Sequence, residues 1–116
     1  MEHELERLTD GVTVLRVRGD VDVSHALVLR GVLGDLLAEE APRVLVDCSD
    51  VGFVDSAGVG LLVTGHRRAQ EAGGRLDLAG VQPAVAHILQ LTRADRLLTV
   101  HADVESGVAA LSSSAP

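Results

Sequence analysis

Two rhythms of apolar and polar positions run along this chain of 116 residues, and the places where they change mark its elements. Over residues 12–18 the pattern alternates, with Thr13, Leu15 and Val17 on one face and Val14, Arg16 and Arg18 on the other. That period of two predicts a half-buried strand. Asp10-Gly11 just before it is a hairpin turn signal, because glycine takes positive φ at no steric cost. The weaker strand pattern of residues 3–9, carrying Leu5 and Leu8, is therefore expected to pair antiparallel with it. After a polar loop at 19–24 the rhythm becomes helical. Leu29, Val32, Leu33, Leu36 and Leu37 share one face, Arg30, Asp35 and Glu39 lie off it, and Ala41-Pro42 ends the helix. Ser24 stands where an N-cap is expected.

Residues 44–48, Val-Leu-Val-Asp-Cys, form a short apolar run that suits a strand covered on both faces. A helix is predicted from about 57 to 72, with Val59, Leu62 and Val63 at helical spacing and Gly73-Gly74 as its stop. Glycine is poor inside a helix, by about 1 kcal/mol against alanine. Gly58 and Gly60 in the first turn therefore predict close approach of another backbone or of a partner. Residues 75–79 read as a strand. Pro83 opens a third helix through Val85, Ile88, Leu89 and Thr92. Residues 97–100 read as a last strand, and Asp103 caps a helix through Val104, Val108 and Leu111. The small polar tail, 112–116, is expected to be disordered. The order β-β-α-β-α-β-α-β-α predicts one α/β domain over 1–111. Its sheet has four to five strands, mostly parallel after an N-terminal β-hairpin.

Composition narrows the function. The net charge is −7, and every base is arginine. An acidic surface with one aromatic residue, Phe53, suits neither nucleic acid nor an anionic membrane. The lack of lysine removes Schiff-base chemistry and a Walker-type phosphate lysine. Cys48 is alone, in a predicted buried strand, and reads as a core residue. No signal peptide or membrane-length apolar run is visible, which predicts a cytoplasmic chain.

Candidate chemistry gathers at two loops. Asp55-Ser56 precedes the second helix, where unpaired N–H groups and the positive end of the helix dipole receive an anion well. Ser56 reads either as the helix N-cap, with Asp55 favouring the dipole, or as a phosphorylation site, since phosphate adds roughly −1.5 to −2 charges there. Gly19-Asp20-Val21-Asp22 reads either as a polar turn or as an acidic rim, if both loops share one end of the sheet. The acid pair suggests Mg²⁺, but too few further ligands are in sight. Gly58-Val59-Gly60 with Gly65 departs from a dinucleotide fingerprint. His3, His25, His66, His87 and His101 are scattered, without metal or relay spacing. Val54 stands where a serine-hydrolase elbow needs glycine. Nothing reads as an enzyme, and no cofactor is expected.

Leu45-Val46-Asp47 followed by Val54-Asp55-Ser56-Ala57-Gly58-Val59-Gly60 resembles the motif of STAS domains, in particular the small bacterial anti-sigma factor antagonists. The likeness runs from about Leu5 to Leu111. It implies a sheet with helices packed on one side and a regulatory role without catalysis. It implies that Ser56 is phosphorylated by an ATP-using anti-sigma factor serine kinase, and that the unphosphorylated form captures this kinase and frees a sigma factor. A PP2C-type phosphatase then restores the free serine. Gly19-Asp20-Val21-Asp22 matches the family's acidic loop, whose last acid, Asp22, lies by the phosphosite. The implied partner surface is Asp20, Asp22, Asp55, Ser56, Ala57, Gly58 and Gly60. Ala57 departs from a position often Ser or Thr, and Arg93-Ala94 stands where many members carry glycine. Two other readings remain: a constitutive scaffold, for example on a transporter ATPase, and a small nucleotide-binding protein.

Overall fold

The computed structural model, which describes residues 1–112, is built on a five-stranded sheet. The strands are Glu2–Arg7 (β1), Val12–Arg18 (β2), Arg43–Asp50 (β3), Arg75–Ala79 (β4) and Val100–His101 (β5), and they lie across the sheet in that order. β1 pairs antiparallel with β2 through the turn at Gly11, whose φ is +87°, and the other pairs are parallel. The helices are Val23–Leu37 (α1), Ser56–Glu71 (α2), Pro83–Leu91 (α3) and Val104–Ser112 (α4), with a 3-10 turn at Ala94–Arg96.

β3 explains the layers. Val44, Val46 and Cys48 point to one face and pack with Leu33, Leu36 and Leu37 of α1, Val59 and Leu62 of α2, and Val85 and Leu89 of α3. Leu45, in the opposite register, packs on Val12, Ala79 and Leu111. The one-sided arrangement implied by the resemblance is thus that of α1 to α3, while α4 covers the other face. An apolar strand buried on both sides requires that second layer. Burying a leucine such as Leu45 contributes about 1.5–3 kcal/mol. β1 is exposed on both faces, and its charges suit an edge. Arg16 reaches Glu6 at 2.8 Å and Arg18 reaches Glu4 at 3.0 Å across the hairpin.

The bounds of the last strand and of α4 differ from the sequence reading. The last strand is only Val100–His101, because Arg93 turns the chain left-handed (φ +62°) into the 3-10 turn. Leu98 is buried ahead of the strand rather than within it. Ser112, expected in the tail, closes α4, and its hydroxyl donates to the carbonyl of Val108 at 2.7 Å. The rest of the expected tail, 113–116, lies outside the described residues.

Since β2, β3 and β4 are parallel, the loops after them leave one edge of the sheet. Cross-loop bonds tie these loops together. Gly19 N–H donates to the Asp50 carbonyl at 2.9 Å, and the Gln82 amide donates to the Ser49 carbonyl at 2.8 Å. The two candidate loops therefore share one end of the molecule.

Candidate functional site

Val21 and Val54 form a parallel bridge outside the named strands. Val21 N–H donates to the Phe53 carbonyl at 2.9 Å, and Asp55 N–H donates to the Val21 carbonyl at 3.2 Å. The residue after each member of the bridge is an N-cap. The Asp22 carboxylate accepts from His25 N–H at 3.1 Å and caps α1, and the Asp55 carboxylate accepts from Gly58 N–H at 3.0 Å and caps α2. Both caps have extended backbone, which releases the chain from the loop before the helix begins.

This assigns the serines differently from the sequence reading. Ser24 is not the cap of α1; it is the second helical residue, and its hydroxyl donates to Asp22 at 2.8 Å. Ser56 is not the cap of α2 either. It is the first helical residue, its side chain is exposed, and its hydroxyl has no hydrogen-bond partner among the described residues. The capping role that competed with modification at Ser56 is filled by Asp55. A group added to Ser56 would sit at the N-terminal end of α2, next to the capping carboxylate of Asp55.

The electrostatics follow from these bonds. The Asp22 carboxyl is held below its ordinary range, first by the His25 backbone N–H and then by the Ser24 hydroxyl. His25 Nδ1 lies 2.9 Å from the Asp20 carbonyl and 3.2 Å from Asp22, so it braces the acidic loop. Asp20 is exposed, and its carboxylate lies over Gly52. Behind the site, burial and the neighbouring Asp47 push the Cys48 thiol up to about 12, so it is a core residue and not a nucleophile. Among the described residues no cluster of three or more His, Cys, Asp or Glu side chains is placed to hold a metal ion.

Of the seven surface residues expected, Asp20, Ser56 and Gly60 are exposed, while Asp22, Asp55 and Ala57 are partly so. Gly58, expected on the partner surface, is buried. A Cβ there would lie 2.5 Å from Val54 Cγ1 and 3.1 Å from Val21 Cγ1. Its role is to let α2 sit down on the bridge. Gly60 has no heavy atom within 4 Å of such a Cβ, so the close approach it predicts is not internal. Sequence reasoning missed Phe53, which is 45% exposed at the rim, and Val23 and Leu27 of α1. For Val23 and Leu27 the signal was apolar residues on a helix face that the core stripe does not use; Phe53 lies in the loop before α2 and had no such signal.

The site is thus a mostly parallel sheet whose loop-capped helices present an exposed serine next to the capping carboxylate of Asp55. The chain belongs to the STAS_2 family, described as Mlab, STAS domain, whose model matches residues 5–99. It is 29% identical over 94 residues to the anti-sigma-B factor antagonist of Bacillus subtilis, covering 81% of this chain and 85% of that protein. It is 28% identical over 101 residues to the anti-sigma-F factor antagonist RsfB of Mycobacterium tuberculosis, covering 85% and 83%. The fold matches unphosphorylated SpoIIAA, an anti-sigma factor antagonist, with a TM-score of 0.80 at 20% identity over 99% of this chain and 100% of that one. It matches the phosphorylated form of the Bacillus protein with a TM-score of 0.72 at 21% identity, over 94% and 98%.

Proposed function

We propose that this chain is an anti-sigma factor antagonist switched by phosphorylation of Ser56. In its unphosphorylated form it binds an ATP-dependent anti-sigma factor serine kinase and so releases a sigma factor for transcription. A PP2C-type phosphatase reverses the modification. The chain works in the cytoplasm as a binding protein, without catalysis and without a cofactor. Asp20, Asp22, Asp55, Ser56, Ala57 and Gly60 form the docking edge, with Phe53 added.

One observation carries this reading: Asp55 caps α2, which leaves the exposed Ser56 hydroxyl without a structural bond. A serine at that place is available to a kinase, and the helix does not need it. The charge logic gives the switch its direction. Phosphate on Ser56 gains from the helix end, so the modified form folds. It also concentrates negative charge beside Asp22 and Asp55, on a docking edge that is already acidic. A partner that fits the free serine is then repelled or displaced. The relatives named as anti-sigma factor antagonists support the role, and SpoIIAA, solved in both phosphorylation states, supports the switch.

The test is a capture from native lysate with wild type, Ser56→Ala and Ser56→Asp as baits. The proposal expects a small serine-kinase anti-sigma factor with the first two and its loss with the third. If all three baits hold the same protein, such as a transporter ATPase, the chain is a constitutive scaffold.

A further inference from the structure

A groove of about 530 Å³ runs between α1 and α2, beginning one residue past Ser56. On α2 it is lined by the small residues Ala57, Gly60, Thr64 and Gly65, at helical spacing, together with Leu61. Its wall on α1 is apolar and solvent-facing at the near end, where Val23 is 63% and Leu27 64% exposed. At the far end Arg30 and Arg68 flank it. Neither guanidinium has a carboxylate or hydrogen-bond partner among the described residues, a state shared by Arg67, Arg93 and Arg96, whereas those of Arg7, Arg16, Arg18 and Arg75 are paired. On a chain of net charge −7 this is a local reversal of sign. The span from Ala57 to Arg68 along α2 is about 16 Å, or three helical turns.

We infer that this groove receives one amphipathic α-helix of the anti-sigma factor, about three turns long, with an apolar stripe on Val23 and Leu27 and acidic residues at Arg30 and Arg68. The inference rests on the proposed function and extends its docking edge from Ser56 along α2. Three features select this occupant. The small floor lets a helix backbone come close, as small residues do at tight helix crossings. The exposed Val23 and Leu27 offer the i, i+4 apolar contacts of helix-in-groove binding. The unpaired guanidiniums ask for carboxylates, and arginine receives them in a bidentate fork. The groove also explains Gly60, whose missing side chain nothing in the fold requires.

The test places a photoreactive p-benzoylphenylalanine at Leu27, at Thr64, at Phe53 or, as control, at Leu91, which is exposed on α3 outside the groove. Crosslinked partner peptides are then sequenced by mass. The result expected is crosslinking from positions 27 and 64, and not from 91, to a single acidic amphipathic segment of the protein that Ser56→Asp fails to hold. The double variant Arg30→Glu/Arg68→Glu, which breaks no bond of the fold, binds that protein at least tenfold more weakly, and more so at low salt. Crosslinks from Phe53 alone, or a double variant that binds like wild type, would overturn the groove assignment and leave the proposed function standing. If crosslinks arise at 27 and 64 but Ser56→Asp binds unchanged, the groove stands and the phosphorylation switch fails. No crosslink from any position overturns both.

Discussion

Asp22 and Asp55 cap two neighbouring helices from adjacent places, each one residue beyond its member of the Val21–Val54 bridge. A single pair of backbone hydrogen bonds thus aligns the positive ends of α1 and α2 at one edge of the sheet. Ser56 follows directly and inherits that field without a structural duty. The switch chemistry proposed for this chain depends on this division of labour between Asp55, which holds the helix, and Ser56, which is left free.

Gly58 and Gly60 sit two residues apart in one helix and should respond oppositely to alanine. At Gly58 the added methyl meets Val54 and Val21, and overpacking of that kind costs about 1–3 kcal/mol. At Gly60 it meets nothing, so Gly60→Ala gains helix propensity, about 0.5–1 kcal/mol. Urea unfolding midpoints measure both. A stabilised Gly58→Ala would contradict the packing of α2 on the bridge.

Acid should weaken the α1 cap in a definite sense. The folded chain holds the Asp22 carboxyl below its ordinary value of 3.8, so the unfolded chain binds more protons as the medium is acidified. The cap's ionic contribution is complete above that value and is lost as pH falls through the lower native one. An asparagine in place of Asp22 would cap without titrating. The stability gap between wild type and Asp22→Asn is therefore expected to shrink on going from about pH 5 to about pH 2, read by thermal unfolding at each pH. A gap that stays constant contradicts the bond to His25 N–H.

Arg93 stands in the left-handed region, with φ of +62°, just past the end of α3. That conformation costs a side-chain-bearing residue about 1–2 kcal/mol, partly offset by the greater freedom glycine has when unfolded. Arg93→Gly should raise stability by about 0.5–1 kcal/mol, while Arg93→Ala should not. The pair of variants separates backbone relief from loss of the arginine, and chemical denaturation reads it.

Much of this fold is legible in the pattern of apolar positions. The alternation over β2, the apolar run of β3 and the helical stripes of α1 and α2 place the sheet and the helical layer on one of its faces. What could not be read has physical reasons. Asp22 and Ser24, like Asp55 and Ser56, are all competent caps, and only the backbone angles decide which residue stands outside the helix. Leu97 and Leu98 look like strand, but a left-handed Arg93 and the 3-10 turn spend them on a corner. Periodicity gives α4 an apolar face without saying which side of the sheet it covers; the register of Leu45 settles that. The groove is the least legible feature. It is a gap between two helices, and a stripe analysis of each helix alone sees only what faces the core.

The proposed switch depends on Ser56, and one measurement reaches it. The purified chain is incubated with its anti-sigma factor and ATP, the modified residue is located by mass spectrometry, and the affinity of the modified chain for the same factor is measured with ADP present. The expected result is phosphate on Ser56 alone, none on Ser56→Ala, and binding at least tenfold weaker after modification, at least ~1.4 kcal/mol. Phosphate on Ser24 or Ser49 with Ser56 untouched, or equal affinity before and after modification, would contradict it.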